Sequence, residues 1–128
     1  MSYSKEVMKR FKNPKFGEKM KNPDAIGEVG NATCGDVMKI FLKIEKNKKG
    51  DEIIKDISFQ TFGCVAAISS SDALCELAKG KTIKQALKIT RNNIVKKLQG
   101  LPNLKFHCSV LGEKALKTAI ENYKKKKK

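Results

Sequence analysis

Apolar and polar residues alternate through the middle of the chain, the pattern of half-buried β-strands. In segment 37–46 the apolar positions are Met38, Ile40, Leu42 and Ile44. Segment 57–61 has the same period, and residues 47–51 between the two are of the types favoured in hairpin loops. The two apolar faces coincide if the numbers of paired residues sum to 99, which predicts Ile40 opposite Phe59 and Leu42 opposite Ile57.

Segments with helical spacing flank this hairpin. A helix is predicted from residue 2 to about residue 12, ended by Asn13-Pro14, and segment 25–30 predicts a short edge strand. Segment 65–79 predicts a helix closed by Gly80, and Thr82 and Thr90 are in position to cap two more. A last helix is expected from about residue 109 to residue 123. The predicted fold is α+β, with about five helices on a small three-stranded antiparallel sheet.

The large net positive charge does not by itself indicate a nucleic-acid-binding protein. The chain has 128 residues, 28 Lys+Arg against 13 Asp+Glu, and a formal net charge of +15. Five lysines form the terminal run 124–128, only two basic residues are arginine, and aromatic residues make up 6%. Specific nucleic-acid recognition favours arginine guanidinium groups and aromatic side chains on which bases stack. Both are scarce in this chain, so no specific nucleic-acid partner is expected. We interpret residues 1–123 as one domain and 124–128 as a disordered lysine tail.

The N-terminal residues and the length of the apolar runs predict where in the cell the protein is found. No apolar run approaches the roughly 20 residues of a membrane helix, and the N-terminus has no secretory signal. We therefore predict a cytoplasmic protein without membrane contact. Cysteines in a reducing compartment more often bind metal or carry out chemistry than form disulfides.

Three of the four cysteines occupy positions suited to metal binding. Cys64 and Cys108 each precede a predicted helix, whose positive end stabilises a thiolate. Asp36 follows Cys34 by two residues, and His107 adjoins Cys108. This donor set suits four-coordinate zinc or the iron of an iron-sulfur cluster, at one end of the sheet. The separations of 30 and 44 residues are not paired metal-binding spacings, so from spacing alone three scattered core thiols remain an equal alternative.

The fourth cysteine differs in its surroundings. Cys75 lies eleven residues after Cys64, inside a predicted helix and among alanines and leucines. We predict that it is a core residue.

Three segments of the chain carry a resemblance to a known family. They are Asn31-Ala32-Thr33-Cys34-Gly35-Asp36-Val37-Met38, then Thr61-Phe62-Gly63-Cys64 with the Ala- and Ser-rich stretch after it, and Leu101-Pro102-Asn103-Leu104-Lys105-Phe106-His107-Cys108-Ser109. In this order and at this spacing the segments resemble the signatures of the IscU/NifU-type iron-sulfur cluster assembly scaffolds. The similarity extends from Tyr3 to Tyr123.

The resemblance implies a scaffold or carrier rather than an enzyme. Such a scaffold builds a transient [2Fe-2S] cluster from iron and from persulfide sulfur that a cysteine desulfurase delivers, and passes it to recipient apo-proteins. It implies Cys34, Cys64 and Cys108 as ligands, with Asp36 or His107 as the fourth and Cys108 as the persulfide acceptor. Scaffolds of this kind can hold zinc in the cluster position when no cluster is bound. We expect a monomer or a cluster-bridged or cluster-bound homo-oligomer.

Partner binding is implied at Leu101, Pro102 and Lys105, which match a family segment that dedicated chaperones recognise. Asn103 and Leu104 replace a proline and a valine of that segment, so this part of the match is incomplete. The alternative function is a zinc-binding sulfur acceptor that uses the same ligands. A hydrolase built on Cys108 and His107 ranks lower, because adjacent residues rarely place their side chains for mutual proton transfer.

Overall fold

The computed structural model describes residues 3–31, 36–63, 65–100 and 106–127, with side chains at 3–30, 37–63, 65–100 and 110–126. Within these residues the chain forms five helices and three strands. In chain order they are α1 (Lys5–Lys12), β1 (Ala25–Asn31), β2 (Asp36–Lys46), β3 (Glu52–Phe62), α2 (Val65–Ala78), α3 (Ile83–Ala86), α4 (Arg91–Lys97) and α5 (Phe106–Lys127). The predicted α+β class is confirmed.

The three strands form one antiparallel sheet in the order β1-β2-β3. Ile40 pairs with Phe59 and Leu42 with Ile57, as the alternation predicted. The register then shifts between Lys43 and Ile44, because Ile44 pairs with Ile54 and Lys55 is the extra residue of a β-bulge. The sequence pattern did not reveal this bulge.

One face of the sheet carries the core. Met38, Ile40 and Leu42 are fully buried there, and α2 and α5 pack over them. Apolar residues spaced by three or four positions along α5 are buried against this face, namely Leu111, Ala115, Leu116, Ala119 and Ile120. The sheet face thus supplies the apolar surface that both helices need to bury.

Helix α5 lies against the backbone of strand β1 at Gly27. A Cβ atom at this residue would overlap the backbones of Ala115 and Ala119, at 2.9 Å from the Cα atom of Ala119. Further along α5, the Asn122 side chain donates a hydrogen bond to the Ile26 carbonyl, and Tyr123 bonds with Glu52. Glycine on the strand and alanines on the helix therefore set how closely α5 approaches the sheet.

Helix α5 is longer than the sequence pattern predicted. It begins at Phe106 rather than near residue 109, so Cys108 lies in its first turn instead of before it. It also continues through Lys127, although the lysine run was expected to be disordered. Lysine is a good helix former, and cations at a helix C-terminus interact favourably with the helix dipole.

A buried ion pair joins α1 to α2. The Arg10 guanidinium donates from Nη1 to Asp72 Oδ2 over 2.8 Å, and Nη2 lies 3.2 Å from Glu76 Oε1. Burial opposes the charge on Arg10, but the hydrogen bond to Asp72 and the nearby carboxylates outweigh it, so the pKa of Arg10 is raised. The other Asp72 oxygen accepts a hydrogen bond from the Phe16 amide over 3.0 Å, which anchors the chain that follows α1.

Within the described ranges, no helix combines the length and the apolar character needed to cross a membrane.

Replacing Gly27 with alanine tests the close packing of α5. The added Cβ atom meets helix backbone rather than a movable side chain, so we expect a loss of about 2–3 kcal/mol in the free energy of unfolding, measured by urea denaturation. Glu28→Ala, on the exposed side of the same strand, is the control and should cost less than about 0.5 kcal/mol. Equal losses in the two variants would contradict the close packing.

The pH dependence of stability tests the charges around Arg10. A hydrogen bond from Lys97, and then the charge of Arg10, lower the pKa of Glu76 in the folded state, although burial opposes this shift. A depressed pKa stabilises the fold above the unfolded-state pKa, and the contribution is lost as pH falls through the folded-state value. Glu76→Gln should therefore be less stable than the parent at about pH 7, and the difference should shrink at about pH 3. The exposed Glu121→Gln is the control, and a difference for Glu76→Gln that stays constant between the two pH values would refute the assignment.

Candidate metal centre

The termini of the three strands meet at one end of the sheet, which we call the open end. There Asn31, the last residue of β1, pairs with Asp36, the first residue of β2. Val37 pairs with Phe62, the last residue of β3, and the Thr61 hydroxyl donates to the Val37 carbonyl over 2.5 Å. Segment 32–35 therefore joins two strands at this end, and the chain leaves β3 at the same place.

Helix α2 begins at the open end and runs away from it. Val65 follows Phe62 by three residues, and at the other end of α2 the Gly80 amide donates to the carbonyl of Ile54, near the start of β3. Helix α2 is thus antiparallel to β3. Its N-terminal end, where the first N–H groups have no partner within the helix, lies at the open end.

Helix α5 also has its N-terminal end at the open end. Gly112 packs near Met38, two residues from the start of β2, whereas Tyr123 reaches Glu52 at the opposite end of β3. From Gly112 to Cys108 the helix continues by four residues, about 6 Å, toward the open end. The first turn of α5, which contains His107 and Cys108, is therefore placed there by its backbone.

The predicted site residues differ in what the structure describes of them. Cys34 and Cys64 lie outside the described residues, as do Leu101, Pro102 and Lys105. Asp36 opens β2, and His107 and Cys108 lie in the first turn of α5, but their side chains are not described. The backbone brings together the described neighbours of all three cysteines, whereas the convergence of the thiols themselves stays a prediction.

The two helix ends are electrostatically suited to anions. Neither the first turn of α2 nor that of α5 contains an acidic residue that would offset the positive end of the helix dipole. Thiolates are the form of cysteine that binds metal or accepts sulfur. The open end therefore favours the reactive form of a cysteine placed there.

Cys75 is a core residue, as predicted. Its side chain is fully buried in α2 and belongs to the main hydrophobic core. Burial, and then the charges of Asp72 and Asp56, raise the pKa of its thiol well above the ordinary value. A buried neutral thiol of this kind is unsuited to metal binding or sulfur transfer.

Among the described residues, no three His, Cys, Asp or Glu side chains lie close enough to hold a metal ion. The side chains of the predicted ligands lie outside this set.

Phe62 is a feature of the open end that sequence reasoning missed. Its side chain is 79% exposed at the end of β3, two residues before Cys64. The period of the strand places it on the face opposite Phe59 and Thr61, away from the helices. The sequence could have revealed this exposed side chain, because the two-residue period of the strand places a large apolar residue on the face that otherwise carries polar residues.

Comparison with known proteins identifies the family. The model of the NifU-like N-terminal domain matches residues 2–128, and the chain belongs to this family. The iron-sulfur cluster assembly scaffold protein IscU 1 of Archaeoglobus fulgidus is 48% identical over 124 residues, covering 97% of this chain and 78% of that protein. The resemblance that the cysteine segments indicated is thereby confirmed.

Further relatives extend the comparison. The scaffold protein IscU of Buchnera aphidicola subsp. Acyrthosiphon pisum is 45% identical, covering 99% of this chain and 98% of that protein. The nitrogen fixation protein NifU of Azotobacter chroococcum is 43% identical, but the match covers only 38% of its length.

Solved structures share the fold. A putative iron-sulfur cluster assembly scaffold protein for the SUF system of Fervidobacterium islandicum superposes with a TM-score of 0.72 at 25% identity, covering 92% of this chain and 96% of that one. A NifU-like protein of Brucella abortus gives a TM-score of 0.71 at 18% identity, covering 96% of this chain and 94% of that one.

Alkylation of the metal-free chain tests the division of the cysteines. Iodoacetamide should modify three cysteines in the native protein and all four in concentrated urea, because Cys75 is buried and has a raised pKa. Mass spectrometry counts the adducts and assigns them to peptides. In the Cys75→Ala control the count should be three in both conditions, and modification of Cys75 in the native parent would contradict its burial.

Proposed function

We propose that this protein is a scaffold on which a transient [2Fe-2S] cluster is assembled and from which it passes to recipient apo-proteins. The observation that carries the proposal is the meeting of the described neighbours of Cys34, Cys64 and Cys108 at the open end. Relatives of 45–48% identity over nearly the whole chain are named as scaffold proteins of iron-sulfur cluster assembly, which supports the same role.

The three thiolates are the soft ligands that iron-sulfur clusters require. We assign them to Cys34, Cys64 and Cys108, with Asp36 as the fourth ligand and His107 as the alternative. A hard carboxylate among soft thiolates is a poorer match for the cluster than a fourth cysteine. We infer that Asp36 keeps the cluster labile, which a scaffold needs and a permanent carrier does not.

Sulfur reaches the scaffold by thiol–persulfide exchange. The Cys108 thiolate attacks the outer sulfur of a persulfide on a cysteine desulfurase, a new S–S bond forms on Cys108, and the desulfurase cysteine leaves as a thiolate. This exchange conserves electrons. Each transferred sulfur becomes bridging sulfide only after it takes up two electrons from an external reductant. Placing Cys108 in the first turn of α5 supports this role, because the helix dipole favours its thiolate.

This role implies the classes of partner protein. The desulfurase supplies sulfur, apo iron-sulfur proteins receive the cluster, and Leu101, Pro102 and Lys105 remain the proposed contact for a chaperone. A cytoplasmic location and a monomer or cluster-bound oligomer stay predictions. A hydrolase built on His107 and Cys108 is disfavoured, because consecutive positions of a helix are offset by about 100° around its axis.

Anaerobic reconstitution with iron, cysteine, a cysteine desulfurase and a reductant such as dithiothreitol tests the scaffold. The full chain should acquire the visible absorption of a [2Fe-2S] centre, and Cys34→Ser, Cys64→Ser and Cys108→Ser should each reduce the bound cluster severalfold or more. Cys75→Ala is the control outside the proposed site and should load normally. Zinc that resists exchange and prevents reconstitution in the parent would favour the zinc-binding sulfur acceptor instead.

Asp36→Ala tests the labile ligand. The variant should hold its cluster longer than the parent and donate it more slowly to an apo-ferredoxin, followed by circular dichroism. His107→Ala is the comparison variant, since the residue whose loss changes cluster lifetime is the fourth ligand. Unchanged transfer kinetics in Asp36→Ala would remove Asp36 from this role.

A further inference from the structure

A cavity of about 550 Å³ lies beside strands β2 and β3, and its lining extends to Lys79, which directly follows α2. One wall is residues 15–22, which we call the strap, and the floor is formed by β2 and β3 around Lys43 and Ser58. Lys43 is seven residues from Asp36 and Ser58 is four from Phe62. At about 3.3 Å per residue, the cavity lies about 13–23 Å along the strands from the open end.

Lysines dominate the lining of this cavity. Half of the twelve lining residues are lysines, whereas Lys and Arg together account for 28 of 128 residues in the chain. The acidic residues of the lining are Glu18 and Asp56. The six lysines are Lys15, Lys19, Lys21, Lys43, Lys55 and Lys79.

The charges of these lysines are only partly matched. Lys55 lies 3.4 Å from Glu45, and Lys79 lies 3.8 Å from Asp56. Lys43 donates to the Asn22 carbonyl of the strap and lies directly opposite Asp56 on β3, so one carboxylate faces both Lys43 and Lys79. For the three strap lysines, no carboxylate within 4.0 Å is found in the described part of the chain; they are Lys15, Lys19 and Lys21.

The strap is held at both ends. The Phe16 carbonyl accepts from the Phe59 amide over 2.9 Å, and the Phe16 amide donates to buried Asp72. Asp24 donates from its amide to the Leu42 carbonyl over 2.8 Å and accepts from the Ile44 amide over 2.7 Å. The backbone that carries the free lysines is therefore fixed before any ligand arrives, which lowers the entropic cost of binding.

A buried hydroxyl lies in the floor. Ser58 is 8% exposed, and its Oγ atom has no hydrogen-bond partner among the described residues. An unpartnered buried hydroxyl costs free energy. Rotation about the Cα–Cβ bond gives such a hydroxyl a way to donate to an oxygen atom in the cavity.

We propose that this cavity binds a small anion carrying two or more adjacent phosphate groups. Its lining has six positive and two negative side chains, and its volume is in the range of small-molecule sites. Lysine ammonium groups are common phosphate ligands because they act as compact charges with several donors. The concave shape and the buried serine favour a small anion over the acidic surface of a protein.

Titration of the full chain with inorganic phosphate, pyrophosphate and ATP at about 0.15 M salt tests the site. We expect saturable one-to-one binding of pyrophosphate below about 1 mM and weaker binding of phosphate. Amide chemical shifts should change in the strap and at Lys43 and Ser58. Tighter binding of ATP than of pyrophosphate would indicate a nucleotide, and equal binding would indicate the phosphate groups alone.

Charge-matched variants separate a built site from general attraction to a basic chain. Replacing the three strap lysines with glutamine should weaken pyrophosphate binding roughly tenfold or more. Replacing Lys48, Lys49 and Lys88, which are exposed elsewhere, removes the same charge and should have little effect. Ser58→Ala loses no native hydrogen bond to the described residues, so it should fold normally and weaken binding roughly three- to tenfold.

Three results would overturn the proposal. They are equal weakening by the two lysine triples, shift changes spread over the whole surface, and binding of a glutamate-rich peptide at the strap when pyrophosphate does not bind. None of these results depends on whether the chain assembles a cluster, so the proposed function is tested separately.

Discussion

The close approach of α5 to strand β1 at Gly27 is the packing constraint on which the rest of the structure depends. Because the helix backbone lies where a side chain would otherwise be, α5 has a defined position over the core face of the sheet. Ala115 and Ala119 meet the same requirement from the helix side. The first turn of α5 is thereby carried to the open end, so a contact near the middle of the helix determines where the backbone of Cys108 lies.

The buried Arg10–Asp72 pair fixes the position of α1 against α2. Breaking one partner of such a pair is costly, because the remaining charge stays buried without its counter-ion. Here Asp72 also holds the Phe16 amide, so one carboxylate positions both α1 and the chain that follows it. The helix-covered face and the lysine-lined cavity are thus connected through one residue of α2.

A scaffold must hold its cargo firmly enough to build it and loosely enough to release it. Strand termini and two helix N-termini meet at the open end, and the first turn of α5 there contains Cys108. The exposed Phe62 adds apolar surface beside this end. Cys75, buried and with a raised thiol pKa, is kept apart from the chemistry.

By itself the sequence determined the strands, their register near Ile40 and Leu42, the helix caps at Thr82 and Thr90, and the family, because these depend on local periodicity and on neighbours along the chain. The same local rules erred where long-range contacts or helix propensity prevailed, as in the extent of α5 and the bulge at Lys55. Only the tertiary structure decided the role of Gly27, the pairing of Arg10 with Asp72, and the gathering of six lysines around one cavity. Each of these depends on contacts between residues far apart in the chain, and the local periodicity of a sequence carries no information about such contacts.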